Sequence, residues 1–264
     1  MRLTDGVLRA PPAQAAAVAA LKAAGGAKIA RLSGDPVVIG GCGRSGTTLL
    51  LSVISAHPAV FAINDETCAL CPSKYRKPPY NGALRMDKIY RYIMRSEVPG
   101  TARRWCEKTP KNVKFFGRII ELFSGKVKLI HIVRDGRDVV SSRHPHAPER
   151  SWVSPKRWVE DVRAGLEFRD HPLVLTVKYE DLILDYERTA RSVFSHIGEE
   201  CTAEVLSWHE NARVRKNLAW FDGVRPIHAE SIGRWKDPAL ADLLEKFMHY
   251  PGAPELLKDL GYEV

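Results

Sequence analysis

Apolar residues recur along this chain in two rhythms. Short, nearly continuous runs rich in β-branched residues predict buried strands: Pro36-Val-Val-Ile-Gly, Val60–Ile63, VKLIHIV at 127–133 and LVLTVKY at 173–179. Trp105–Lys108 reads as a further short strand. Between these runs, apolar positions fall at helical spacing. That spacing predicts helices over Ala13–Leu21, Thr47–Ser55, Leu84–Met94, Pro110 to about Phe123, and from just after Arg134-Asp-Gly to a break near Pro145. Further helices are predicted over Pro155–Phe168, Tyr186–Ile197, Ala203–Asn211 and Leu240–Met248. Pro110 suits the first turn of its helix, where the missing N–H costs nothing. Strands alternating with helices predict an α/β fold, with a mainly parallel central sheet flanked by helices in three layers. The chain shows no repeat, linker or charged tail. It is therefore expected to form a single domain over residues 1–264, with residues 1–34 as an N-terminal helical extension.

Composition narrows the class of protein. With 264 residues, 45% hydrophobic and 27% charged, the chain is neither disordered nor collagen-like. No apolar run approaches the ~20 residues of a membrane span. Ala13–Leu21 is short and followed by Lys22, so it reads as a helix rather than a signal peptide, and a cytoplasmic protein is expected. Five cysteines do not make a disulfide scaffold in a chain of this length. Cys68-x-x-Cys71 lacks the second pair or the histidines of a zinc site, and no metal is expected.

The net charge of +9 admits nucleic acid, a membrane surface or anionic ligands and acidic peptides as partners. Its distribution separates them. Pro72–Arg118 holds 13 basic and 3 acidic residues, so this one segment carries the net charge.

Two stretches carry phosphate chemistry. Gly40-Gly-Cys-Gly-Arg-Ser-Gly-Thr-Thr follows a buried strand and opens a helix. Glycines let backbone N–H groups approach an anion, and the helix N-terminus adds partial positive charge. The Walker pattern requires Gly-Lys-Ser/Thr, yet here Gly46 is followed by Thr47, and the cation sits earlier, at Arg44. Arg can grip an oxyanion with two parallel hydrogen bonds. The second stretch is His131-Ile-Val-Arg-Asp-Gly-Arg-Asp-Val-Val-Ser-Ser. It sets Arg134 at the carboxyl end of a strand and Ser142 about two helical turns further on, where open α/β sheets bind ligands.

Gly43-Arg-Ser-Gly-Thr-Thr-Leu resembles the 5′-phosphosulfate loop of the sulfotransferases that use 3′-phosphoadenosine 5′-phosphosulfate (PAPS). Val-Arg-Asp-Gly-Arg-Asp-Val-Val-Ser-Ser resembles their 3′-phosphate motif, Val177-Lys-Tyr-Glu-Asp-Leu their third block and Ser231-Ile-Gly-Arg-Trp-Lys their C-terminal block. The four stand in family order. Within the family, the tyrosylprotein sulfotransferases are similar in three further places: Arg44–Thr48 followed by His57-Pro58, Asp65-Glu66-Thr67, and Arg225-Pro226 ahead of Trp235. The chain departs from that subgroup in one extra residue between His-Pro and Glu-Thr, and in His146 where the subgroup has Arg. It departs from the cytosolic sulfotransferases at Glu107-Lys-Thr-Pro, where Pro110 replaces their catalytic His.

The resemblance implies a role for each residue. Glu66 is the general base, Lys108 the transition-state cation, and Arg44 shares that charge. Arg44, Ser45, Gly46, Thr47 and Thr48 hold the 5′-phosphosulfate. Arg134 and Ser142 bind the 3′-phosphate, Tyr179 packs on the adenine, and Arg225, Gly233 and Arg234 close over the nucleotide. PAPS is the implied co-substrate and PAP the product, with no metal required. The acceptor is expected to be a hydroxyl compound such as an acidic peptide's tyrosine or a small phenol, reached through the basic 72–118 segment, and a homodimer is in keeping with the subgroup. The rival readings are a P-loop kinase-like phosphotransferase, a nucleic-acid-binding module on the basic segment, and a non-enzymatic PAP binder.

Overall fold

The structure is a computed structural model that describes residues 12–71, 83–144, 147–215 and 229–264. Arg76, Lys77, His146, Trp220 and Arg225 lie outside the described residues. The four strands expected from the apolar runs and the short one expected at Trp105–Lys108 form one five-stranded parallel sheet. They are β1 (Val37–Gly41), β2 (Val60–Ala62), β3 (Arg104–Lys108) and β4 (Lys128–Val133), with Val174–Lys178 as the last. The spatial order is β2-β3-β1-β4 and then the 174–178 strand, so β1 is central. Ile39 pairs with Lys108 on one side and Ile130 on the other. Such runs read as continuous rather than alternating because both faces of a parallel sheet are covered.

The period of two sorts the strand side chains into separate layers. Val37, Ile39, Cys106, Ile130, Ile132 and Val177 pack with Leu50, Val53, Phe194 and Trp208. Val38, Trp105, Leu129 and Val174 pack with Ile89, Ile93, Val113, Phe116 and Ile119. The first of these layers includes helix α2 (Thr47–Ser55), which follows β1; the second includes α3 (Met86–Arg95), the 3₁₀ turn Pro110–Phe115 and α4 (Phe116–Leu122), the last two following β3. The neighbours β1 and β3 thus send their connections to opposite faces, and in open α/β sheets ligands bind at the carboxyl edge beside such a switch. Helix α1 (Pro12–Arg31) lies on α3 and is broken at Gly26, whose φ of 44° and ψ of −129° are not helical. Val18 and Ile29 of α1 join the second layer.

Several elements differ from the expectation. The 110–123 helix begins as a 3₁₀ turn before becoming α4. The helix after Arg134 is only α5 (Gly136–Val140); the chain then forms β5 (Arg143–His144), antiparallel to β6 (Ala147–Ser151). That pair has no apolar alternation to announce it. The 203–211 helix divides at Ser207 into Ala203–Leu206 and Trp208–Asn211. Residues 155–166 form α6, as the spacing indicates. Helices α7 (Tyr179–Leu184) and Ala253–Asp259 were not expected; α7 is too short for a helical period to register.

Candidate active site

The turn after β1 has the backbone features of an anion cradle. Arg44 stands in the left-handed region with φ 67°, Ser45 N donates to Cys42 O at 3.2 Å, and Gly46 opens α2 with φ 89°. A Cβ on Gly46 would lie 2.4 Å from Tyr179 Cδ2, so only glycine lets the loop pack against that ring. No described side chain caps α2, which leaves the N–H groups of Thr47 and Thr48 for an external acceptor. The Ser45 hydroxyl is buried with no hydrogen-bond partner among the described residues. Burial lowers the Arg44 guanidinium's pKa, and the charges of Arg134 and then Arg234 lower it further. Three guanidinium groups therefore bear on one uncapped helix start, and an anion would relieve their mutual repulsion.

Arg134 ties the separate sequence blocks together. It donates to Arg44 O at 3.0 Å and to Ser231 O, and its guanidinium lies 4.4 Å from the centre of the Tyr179 ring. The Tyr179 hydroxyl meets Ser231 Oγ at 2.5 Å, and Trp158 Nε1 braces Arg134 O at 3.2 Å. Ser142 is buried, and its hydroxyl donates to Asp138 O at 3.1 Å. Asp138 in turn accepts from Gly233 N at 2.8 Å and Trp235 N at 3.1 Å. The Arg137 guanidinium, paired with Asp135, lies 3.8 Å from the centre of the Trp235 ring. Arg234 is exposed, with Nε bound to Glu230 O at 3.1 Å. Sequence reasoning missed Asp138, Ser231 and Trp158. Each is a bracing group whose partner is remote in the chain; Asp138, within Arg-Asp-Gly-Arg-Asp, and Ser231, at the head of the C-terminal block, offered a signal, and Trp158 offered none.

The second half of the site lies at the carboxyl end of β3. Lys108 Nζ donates to Glu66 Oε1 at 2.8 Å, with the lysine side chain fully buried and the glutamate 30% exposed. The structure thus brings together Glu66 and Lys108, which are 42 residues apart in the chain. The neighbouring Glu107 is fully buried. Its carboxylate accepts from Thr109 Oγ1 at 2.6 Å, Asn112 Nδ2 at 2.7 Å and Thr67 Oγ1 at 2.8 Å. Burial raises the Glu107 pKa, while those hydrogen bonds and the charge of Lys108 oppose the rise. Asn112 Nδ2 also donates to Ile39 O at 3.2 Å, joining this network to the strand that leads into the phosphate loop.

A model described as "Sulfotransferase family" matches residues 81–203. Protein-tyrosine sulfotransferase 2 of Gallus gallus is 23% identical over 86% of this chain and 69% of its own length. The protein-tyrosine sulfotransferase of Drosophila melanogaster is 25% identical over 86% of this chain, which spans 51% of that protein. Over these stretches the chain is similar to sulfotransferases. In fold, it is similar to the sulfotransferase domain of the Synechococcus PCC 7002 olefin synthase, with a TM-score of 0.55 at 18% identity, covering 88% of this chain and 97% of that one. A mouse sulfotransferase solved with PAP has a TM-score of 0.50 at 16% identity, covering 86% of this chain and 88% of that one. The family match spans Lys108, Arg134, Ser142 and Tyr179 and begins after the Arg44–Thr48 loop.

The basic segment is arranged differently from the expectation. Arg104, at the amino end of β3, pairs with Glu199 at 2.9 Å, and Arg103 pairs with the same carboxylate. Lys108 is at the other end of that strand, about 13 Å away by strand rise. Arg85 and Arg91 both reach Asp87, and Lys114 reaches Glu160 and Asp161. Much of the described charge in the segment is therefore spent in ion pairs, and Arg103 and Arg104 do not face the site. Lys88, whose Nζ donates to Thr67 O at 3.3 Å, is a described cation of this run placed at the Glu66 loop. No disulfide joins Cys68 and Cys71; a hydrogen bond between the two thiols raises the Cys71 pKa. Arg44 lies 5.7 Å from the centre of the Trp152 ring, so Trp152 flanks the phosphate loop while packing against the core cluster of Val133, Val139 and Trp158.

Proposed function

We propose that the protein transfers a sulfuryl group from PAPS to an acceptor hydroxyl. The observation that carries this reading is Arg134, which touches the phosphate loop, the Tyr179 ring and the Ser231 turn at once. The residues present fit PAPS: an uncapped helix start, a buried unpartnered Ser45 hydroxyl and three guanidinium charges converge where a dianion would bind. When bound, PAPS supplies an activated sulfuryl group and leaves as PAP.

The chain's own groups do the rest by positioning and electrostatics. Arg44 and the Ser45–Thr48 backbone hold the 5′-phosphosulfate. Arg134 and Ser142 hold the 3′-phosphate, and Tyr179 packs on the adenine. Arg225, Gly233 and Arg234 close over the nucleotide. Glu66 takes the acceptor proton at its carboxylate, and Lys108 with Arg44 neutralises the charge that develops on the departing phosphate. Glu66 is the partly exposed member of its ion pair, so an acceptor can reach it from solvent.

The acceptor in this reading is a phenol, most simply a peptide tyrosine. A phenol, with a pKa of about 10, yields its proton to a carboxylate more easily than an aliphatic alcohol does. The two protein-tyrosine sulfotransferases support this choice. Among the described residues, no helix is long and apolar enough to cross a membrane. The test is calorimetry with PAP, followed by transfer from labelled PAPS to acidic tyrosine peptides, small phenols and glycans. Micromolar PAP binding and labelled tyrosine are expected. Absence of PAP binding, or displacement of PAP by ATP with magnesium, would overturn the reaction. Labelling of glycans alone would overturn the acceptor.

A further inference from the structure

Two consecutive residues of β3 grip two consecutive residues of an irregular loop. Lys108 holds Glu66, and Glu107 holds Thr67. We propose that Glu107 is a positioning residue: its buried carboxylate clamps Thr67 and thereby sets Glu66 in register with Lys108. The proposal rests on the reading of Glu66 as the base.

The hydrogen-bond polarity shows which way the clamp works. Thr67 Oγ1 accepts from Ala69 N at 3.1 Å, and Thr109 Oγ1 accepts from Cys68 N at 3.3 Å. Each hydroxyl has one proton, and each lies within 2.8 Å of Glu107 Oε1. Both protons therefore point at the carboxylate, and Asn112 adds an amide donor to the other oxygen. All three partners are donors, which is the environment of an ionised carboxylate. Burying such a charge is expensive, and an apolar side chain of similar volume would serve packing as well or better. What the carboxylate adds is direction. It orders residues 67–69, which form neither helix nor strand, against the end of a central strand.

Because successive strand residues point to opposite faces, Lys108 and Glu107 act on the loop from different sides. A slip of the loop by one residue would break both contacts together. Asn112 extends the same network to Ile39 O, two residues before Gly41, so the loop bearing Glu66 and the strand entering the phosphate loop share one anchor.

The test compares Glu107→Gln, Thr67→Val and Thr67→Ser in the full chain. Glu107→Gln keeps the shape but cannot accept at both oxygens. It is expected to lower kcat about 10–100-fold, the scale of a misplacement near 1 Å, with PAP affinity within about threefold of wild type. Thr67→Val should match it, and Thr67→Ser should keep most of the activity. In a Glu66→Gln background, Glu107→Gln should cost nothing more, because it acts through Glu66. Amide exchange at Cys68 and Ala69 should quicken in Glu107→Gln and Thr67→Val while β3 stays protected. Should Glu107→Gln fail to fold, Thr67→Val carries the test alone. Full activity in Thr67→Val, an additive loss in the double variant or unchanged exchange at Cys68 and Ala69 would overturn the proposal. The exchange measurement needs no turnover, so it separates failure of the clamp from failure of the sulfotransferase reading.

Discussion

The ammonium of Lys108 sits 2.8 Å from the carboxylate of Glu66, with one partner sealed in the sheet and the other open to solvent. A buried lysine without a partner is costly, and the ion pair with Glu66 compensates that burial. The same pairing holds Glu66 at the carboxyl end of β3, the strand that runs parallel beside β1 and its loop. The proposed base and the proposed charge stabiliser thus position one another before any ligand arrives.

Glu66→Gln should lower turnover by about 10²–10⁴-fold, the usual contribution of a general base. PAP affinity should stay within a few-fold of wild type, because the nucleotide contacts lie on other elements. Steady-state transfer from labelled PAPS, paired with calorimetry, measures both; unchanged kcat would remove Glu66 from the mechanism.

Arg134→Ala should weaken PAP binding by about 10–100-fold, the worth of a charge-assisted hydrogen bond. Gly46→Ala should abolish binding, since its Cβ would sit 2.4 Å from the Tyr179 ring at a φ of 89°. If Gly46→Ala bound PAP normally, the packing of the phosphate loop on Tyr179 would have no part in the site.

His131 predicts an acid-sensitive fold. Its ring is fully buried against Gly165 with no hydrogen-bond partner among the described residues. Burial, helped by the charge of Arg169, pushes its pKa down to about 3. The unfolded chain binds this proton near the ordinary value of about 6.5, whereas the folded chain refuses it until about 3. Stability from this group is therefore fully present above pH 6.5 and is lost as the pH falls toward 3. Urea unfolding of His131→Leu should show a pH dependence shallower than wild type by up to about 1.4 kcal/mol per pH unit in that window. Parallel curves for the two proteins would show that His131 is protonated in the fold.

Arg104→Met should lower stability by about 2 kcal/mol, or about 4–8 °C in Tm, by removing a cation from the buried Glu199 carboxylate. Acceptor KM should not change, because Arg104 lies at the opposite end of β3 from Lys108. A raised KM with unchanged Tm would return Arg104 to the acceptor surface.

The sequence by itself determined the parts of this protein whose cause is local. Apolar β-branched runs marked four of the five parallel strands, glycines between a strand and a helix marked the proposed anion turn, and Arg134 and Tyr179 were placed at strand ends. Each of these follows from neighbours a few residues away, through backbone sterics and a period of two or 3.6. The short β5–β6 pair escaped because polar residues carry no such period.

Tertiary structure alone decided what lies across long separations. Glu66 meets Lys108 over 42 residues, Arg134 meets Ser231 over 97, and Asp138 meets Gly233 over 95. These contacts depend on which loop settles on which strand end, a choice made by packing rather than by local propensity. Charge shows the difference most plainly. The sequence counts 13 cations in one segment, but the fold turns Arg103 and Arg104 to one end of β3 and Lys108 to the other. A strand has two ends, and only its place in the sheet says which of them is the site.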